Sequence, residues 1–194
     1  MLEISPKQSL IYVDSGLKDP TFAAWSLTGP QLALGSGSGG VAMFRRDTRK
    51  RLPIAGKHTG AITCGAWNRD GRLALGSADS TITISNSDGD EVESGGRFVD
   101  CAATPLEIQW GSGLLEGVEV SGLGSVGSTV NSSSSSAASR LNQPSVAVNI
   151  GGRTILLYTP GDPRGPTELQ FQAHYGRITG FRWIEGGYMA LGFR

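Results

Sequence analysis

Tryptophan recurs along this chain with a nearly fixed step, and that step limits the folds open to it more than any other feature. Trp25, Trp67 and Trp110 stand 42 and 43 residues apart, within the roughly 40 to 45 residue period of a four-stranded unit repeated around an axis. Trp183 follows only after 73 residues, but Gly111 to Asn142 is rich in Gly and Ser, with Ser132 to Ser136 unbroken. Removing those 32 residues restores a step of 41. The segment is expected to interrupt one repeat without abolishing it.

Other residues keep the same register. Leu32-Ala33-Leu34-Gly35 follows Trp25, Leu73-Ala74-Leu75-Gly76 follows Trp67, and Met189-Ala190-Leu191-Gly192 follows Trp183. His58 lies nine residues before Trp67 and His174 nine before Trp183, which assigns both to one place in the repeat. In the best unit the pattern predicts strands at Ile62–Trp67, Arg72–Gly76 and Thr81–Ser85, with a weak fourth at Glu91–Glu93. Asn68-Arg69-Asp70-Gly71 and Ser87-Asp88-Gly89-Asp90 set glycine where a hairpin needs positive φ. A four-stranded meander of this kind cannot bury both of its faces alone, so such units must stack.

With 29 glycines and 9 prolines among 194 residues, the composition also favours an all-β chain. Seventeen basic and seventeen acidic residues cancel, so no global field draws the chain to nucleic acid or anionic lipid. Cys64 and Cys101 are too few for a disulfide-stapled fold and form no zinc pattern, which points to a reducing, intracellular setting. The N-terminal residues have no secretory leader pattern, and no apolar run is long enough for a transmembrane segment.

Gly76-Ser77-Ala78-Asp79-Ser80-Thr81-Ile82-Thr83-Ile84-Ser85-Asn86 resembles the WD40 repeat consensus. His58 stands at the histidine of that family's Gly-His dipeptide and Asp79 at its structural turn aspartate. Trp67, His174 and Trp183 follow as structural positions of the repeat. The match is degenerate. Ser85-Asn86, Phe44-Arg45 and Tyr158-Thr159 stand where Trp-Asp belongs, and Lys57 replaces the glycine. Leu75 occupies the second-strand serine position, so the family's buried His-Ser-Asp-Trp network is not expected to form in full. The resemblance implies an all-β, WD40-type β-propeller, incomplete, with about four blades of four-stranded antiparallel sheet over residues 1–194.

A narrower resemblance runs from Lys50 to Asn68, through Gly56-Lys57-His58-Thr59 and Ile62-Thr63-Cys64-Gly65-Ala66-Trp67-Asn68, and continues weakly to Gly192. This stretch is similar to a WD-repeat subunit family of intraflagellar transport complex A. Members carry propellers followed by a helical-repeat solenoid, so the chain is expected to be a fragment or truncated gene product that stops in the second strand of its last blade.

Several motifs invite other readings. Gly35 to Gly40 and Gly122 to Gly127 fit Gly-x-Gly-x-x-Gly, but the first leads into a strand and the second into a serine tract. Neither opens the helix that a dinucleotide phosphate requires. Arg45, Arg46, Arg49, Lys50 and Arg51 put five cations in seven residues at a predicted third-to-fourth strand turn. A solvated hairpin explains them; a contact patch for phosphoinositide, RNA or an acidic partner is the sharper alternative, and no interleaved aromatic residue supports nucleic acid. The repeated offset of His58 and His174 assigns them to packing rather than to catalysis or metal binding, and no nucleophile motif accompanies them. No cofactor is expected. The insertion, Gly111 to Asn142, lacks the apolar content to fold and is expected to be a disordered loop.

The resulting expectation is a non-enzymatic protein-binding scaffold. The resemblance implies retrograde transport and assembly in cilia, at cilium, basal body and cytoplasm. Its partners would be other subunits of intraflagellar transport complex A and ciliary membrane-cargo adaptors. The competing readings are a WD40 substrate receptor of a ubiquitin ligase and a vesicle-coat propeller.

Overall fold

A computed structural model describes residues 14–54, 58–90, 99–112, 144–163, 165–184 and 188–194. Strands β1 (Pro20–Trp25), β2 (Gln31–Ser36), β3 (Val41–Arg45) and β4 (Lys50–Ile54) form the first sheet. Strands β5 (Ile62–Trp67), β6 (Leu73–Ser77), β7 (Thr81–Ser85) and β8 (Val99–Asp100) form the second. The third contains β9 (Pro105–Ser112), β10 (Pro144–Ile150), β11 (Thr154–Tyr158) and β12 (Thr167–Gln170). Strands β13 (Ile178–Ile184) and β14 (Tyr188–Phe193) pair as a fourth, two-stranded sheet. Every pairing is antiparallel between chain neighbours, so each sheet is a meander.

The expected strands in the second sheet agree within a residue except the last. Glu91–Glu93 lies outside the described residues, and Val99–Asp100 provides the fourth strand by pairing with Ile82 and Thr81. The insertion was expected to begin at Gly111, but β9 runs on to Ser112, which pairs with Pro144. A side chain at Gly111 would collide with the Trp183 ring of the next sheet, so this strand residue packs directly under that ring. Residues 113–142 of the insertion are not among those described.

The apolar core lies between sheets. Ala33, Val41 and Met43 of the first sheet meet Ile62, Trp67, Leu73 and Leu75 of the second. Cys64, Ala74 and Ile82 on the opposite face of the second meet Ile108, Val146, Val148 and Leu156 of the third. Ala147, Ile155 and Leu157 then face Ile178 and Phe181. Because side chains alternate along a strand, Leu73 and Leu75 serve one interface and Ala74 the other. A strand buried on both faces reads as a continuous apolar run, which is why Leu-Ala-Leu recurs without polar alternation.

The glycine that ends this run has a steric role. A Cβ on Gly35 would lie 2.6 Å from Ile62 Cβ, and one on Gly76 would lie 2.7 Å from Pro105 Cβ. Ile62 and Pro105 are the first residues of β5 and β9, so the missing side chain lets the next sheet enter.

The turns are equally local in origin. Asn68 Oδ1 accepts from the Asp70 and Arg72 amides at 2.9 and 2.8 Å, and Asn86 Oδ1 accepts from those of Asp88 and Asp90 at 2.9 Å each. Gly71 and Gly89 take the positive φ values, 76° and 88°, that close these turns. Asn86 thus caps a turn from the position where the WD40 consensus has aspartate.

Candidate functional site

The seams between sheets carry a repeated polar code. Trp67 Nε1–H donates to the Ala24 carbonyl at 3.0 Å, and Trp110 Nε1–H donates to the Ala66 carbonyl at 2.9 Å. In the other direction, the Thr21 hydroxyl donates to the Ile62 carbonyl at 2.7 Å and the Thr63 hydroxyl to the Pro105 carbonyl at 2.6 Å. Each pair of first strands is therefore cross-linked both ways, and residues spaced by one repeat do the same work.

The third seam departs from this code. Gln109 inserts its side-chain amide against β13, accepting from the Trp183 amide at 3.3 Å and donating to the Phe181 carbonyl. Glu107 accepts from the Phe181 amide at 3.3 Å and from Arg182 Nη1 at 3.1 Å. The Trp183 indole N–H is buried and has no hydrogen-bond partner among the described residues.

His58 is buried in the second sheet's entry loop. Its Nδ1 lies 3.0 Å from Thr81 Oγ1 and 3.4 Å from Asp79 Oδ2, and its Nε2 lies 3.0 Å from Thr83 Oγ1. The single Thr81 hydroxyl proton goes to Asp79 Oδ1 at 2.6 Å, so His58 Nδ1 must carry a proton and donate to Thr81. Asp79 Oδ2 also accepts from the Thr59 amide at 2.8 Å, and the Ser77 hydroxyl accepts from the Asp79 amide at 3.2 Å. Burial works to raise the Asp79 pKa, but the Thr81 hydroxyl, the Thr59 amide and the neighbouring His58 ring outweigh it and hold the carboxyl well below the usual range.

Leu75 does leave the second strand without the expected serine. The hydroxyl comes instead from Thr83, which is paired with Leu75 across β6 and β7. Cross-strand partners share a face, so a hydroxyl moved one strand over still reaches the imidazole.

His174 has the same offset but different surroundings. It lies exposed in a short 3-10 turn (Ala173–Tyr175), with its ring 4.1 Å from that of Tyr175. Among the described residues the fourth sheet has no third strand to supply counterparts of Thr81 and Thr83, so the histidine does not repeat the His58 network. Trp183 does keep its place on the first strand, with its ring over Gly111.

The basic residues lie along the β3–β4 hairpin, with Arg45 ending β3, Arg46 and Arg49 on the turn, and Lys50 and Arg51 opening β4. Arg45 is engaged by Asp47, at 3.2 Å through Nε and 2.8 Å through Nη2. That contact draws the exposed Asp47 carboxyl down to a pKa of about 2. Arg51 donates to the Ser15 carbonyl at 2.7 Å, and the Arg46 guanidinium lies 5.8 Å from the centre of the Trp25 ring. Gly35 to Gly40 closes the hairpin from β2 to β3 and opens no helix. Among the described residues no His, Cys, Asp and Glu side chains gather as a metal site, and no helix is long and apolar enough to cross a membrane.

Meanders stacked face to face, with neighbouring first strands bonded along their length, define a WD40-type β-propeller, here an incomplete one. The crystal structure of the Cps50 (Swd1) β-propeller domain from Myceliophteria thermophila shares the fold, with a TM-score of 0.62 at 16% identity over 90% of this chain and 49% of that one. The family model for the WDR19 first β-propeller matches residues 3–194, and the chain belongs to that family. It is 30% identical to mouse WD repeat-containing protein 19 and 29% identical to the human protein, in each case over 98% of this chain. WD repeat-containing protein dyf-2 of Caenorhabditis elegans is 27% identical over 90% of it. The chain spans only 13% of the length of the mouse and human relatives and 11% of the worm protein.

Proposed function

We propose that the chain is a non-enzymatic protein-binding scaffold, the propeller part of a subunit of intraflagellar transport complex A that acts in retrograde ciliary transport and cilium assembly. One observation carries this reading: the family match extends over residues 3–194, nearly the whole chain, rather than over a single generic repeat. The physical mechanism is recognition. Stacked sheets whose first strands are cross-linked form a rigid base, and the turns at their ends offer a fixed surface that a neighbouring subunit or a membrane-cargo adaptor buries.

The polar groups that resemble catalytic parts are engaged structurally. His58 and Asp79 spend their hydrogen bonds on Thr59, Thr81 and Thr83. Burial pushes the Cys64 and Cys101 thiols up to about 11 and about 12, which disfavours a nucleophilic thiolate.

The test is to express the tagged full-length protein in ciliated cells and purify what it binds. Signal at basal bodies and along axonemes, with co-purifying subunits of the transport complex, is the expected result. Uniform Golgi staining, or recovery of a cullin adaptor in place of those subunits, would overturn the reading.

A further inference from the structure

The basic hairpin does not stand alone at its end of the first sheet. The Arg46 amide donates to the Pro30 carbonyl at 2.9 Å, tying the β3–β4 turn to the β1–β2 turn. The Thr28 hydroxyl donates to the Arg69 carbonyl at 3.3 Å, which brings the β5–β6 turn alongside. Two of these neighbouring hairpins carry the cations, Arg46, Arg49 and Lys50 on one and Arg69 on the other, all exposed. Arg49 has a φ of 55°, the left-handed turn geometry that closes the hairpin at its tip. Asp47, the one carboxylate on that tip, is neutralised by Arg45 at 2.8 Å. Beside these cations Leu27 is 65% exposed and Trp25 48%. Asp70 shares the β5–β6 turn with Arg69, and Asp88 and Asp90 lie on the turn that follows β7, so the excess of positive charge is carried by the β3–β4 hairpin.

We propose that this end of the first sheet docks on an anionic lipid bilayer, with Arg46, Arg49, Lys50 and Arg69 facing the phosphate-bearing headgroups and Leu27 entering the interface. Cations on two hairpins, both bonded to the β1–β2 turn that carries the exposed Leu27, give an anionic surface more than one point of attraction and an apolar residue to insert. An acidic peptide fits less well. The exposed strand here is β4, and Pro53 in it has no amide hydrogen to pair with an added strand, while Lys50 and Arg51 guard the same edge. Trp25 lies beside the Arg46 guanidinium, and one half-exposed ring does not make the series of stacking platforms that a nucleic-acid strand uses.

The test is flotation of the full chain with phosphatidylcholine vesicles, with and without about one third phosphatidylserine. The chain is expected to float with the anionic vesicles at low salt, to release as salt rises, and to ignore pure phosphatidylcholine. Arg49→Asn with Lys50→Gln is expected to weaken binding about thirtyfold, from the usual increment per cationic residue at such a surface. Asp47→Asn removes the only negative charge on the tip and is expected to strengthen binding about fivefold, a gain that misfolding does not produce. Absence of flotation with anionic vesicles, or unchanged binding in both variants, overturns the proposal. Binding to poly-glutamate without binding to vesicles also overturns it, by identifying an acidic polypeptide as the partner.

Discussion

The indole N–H of Trp67 reaches out of its own sheet and donates to the carbonyl of Ala24, 3.0 Å away, the residue just before the preceding tryptophan of the repeat. Trp110 repeats the contact on Ala66. The tryptophan period is therefore the period of a bond between sheets, and its strength can be measured. Trp67→Phe keeps an aromatic ring in the core but removes the donor that reaches across the seam, while the Ala24 carbonyl stays on the β1–β2 ladder opposite Ala33. Loss of that bond is expected to lower unfolding stability by about 0.5 to 1.5 kcal/mol, read from the urea midpoint at unchanged slope. Trp25→Phe, at a ring half open to solvent, is expected to cost less.

Gly76→Ala adds one methyl group at a point where its Cβ would lie 2.7 Å from Pro105 Cβ and 2.8 Å from Cys64 Sγ. The expected loss is about 1 to 3 kcal/mol from overpacking, measured by denaturant unfolding. Gly71 has nothing within 4 Å of the same added atom but has a φ of 76°. There Asn, which tolerates left-handed backbone, is expected to be better accepted than Ala, a distinction that no residue type relieves at Gly76.

The depressed pKa of Asp79 sets a direction for acid sensitivity. Its folded value lies below the unfolded one, so its contribution is fully present above the ordinary carboxylate range and is lost as pH falls through the folded pKa. Asp79→Asn is expected to destabilise the chain near neutral pH and to flatten the loss of stability on acidification below about pH 4. Thermal unfolding of both proteins at stepped pH values reads the difference. Parallel curves would show that Asp79 is not the group responsible.

Cys64 is buried and Cys101 half-buried in the core between the second and third sheets. With both thiols held protonated by burial, labelling by a soluble thiol reagent near pH 8 is expected to be slow in the native chain and fast in urea. Rapid labelling without denaturant would mean that this interface opens readily.

The stacking of sheets was legible because it leaves two periodic marks, a tryptophan for each seam and a Leu-Ala-Leu-Gly run in the buried second strands β2 and β6. The equally buried β10 reads Ser-Val-Ala-Val and carries no such run. The contacts that complete each seam were not legible. Sequence spacing shows that Trp67 recurs but not that its partner is a backbone carbonyl, which has no side-chain signature. The Thr21 and Thr63 hydroxyls stand 42 residues apart, a signal available in the sequence but hidden among many small polar residues. Val99–Asp100, which pairs with β7, was not anticipated because two residues are too short to show alternation, and the expected Glu91–Glu93 lies outside the described residues. At the histidine network, Leu75 correctly denied the second-strand hydroxyl, yet Thr83 supplied one from the paired strand. His174 had the right offset, but among the described residues no third strand of its sheet supplies the partners that His58 has. The basic turn was visible as composition, whereas its junction with the Leu27 and Arg69 turns depended on two bonds between distant residues.

An experimental density map at side-chain resolution bears most directly on the radial stacking from which the rest follows. It should show the Trp67 and Trp110 indole nitrogens within hydrogen-bond distance of the Ala24 and Ala66 carbonyls, bridging separate sheets. Helix through Ile62 to Ile84, or β4 and β5 joined edge to edge in one continuous flat sheet, would contradict it.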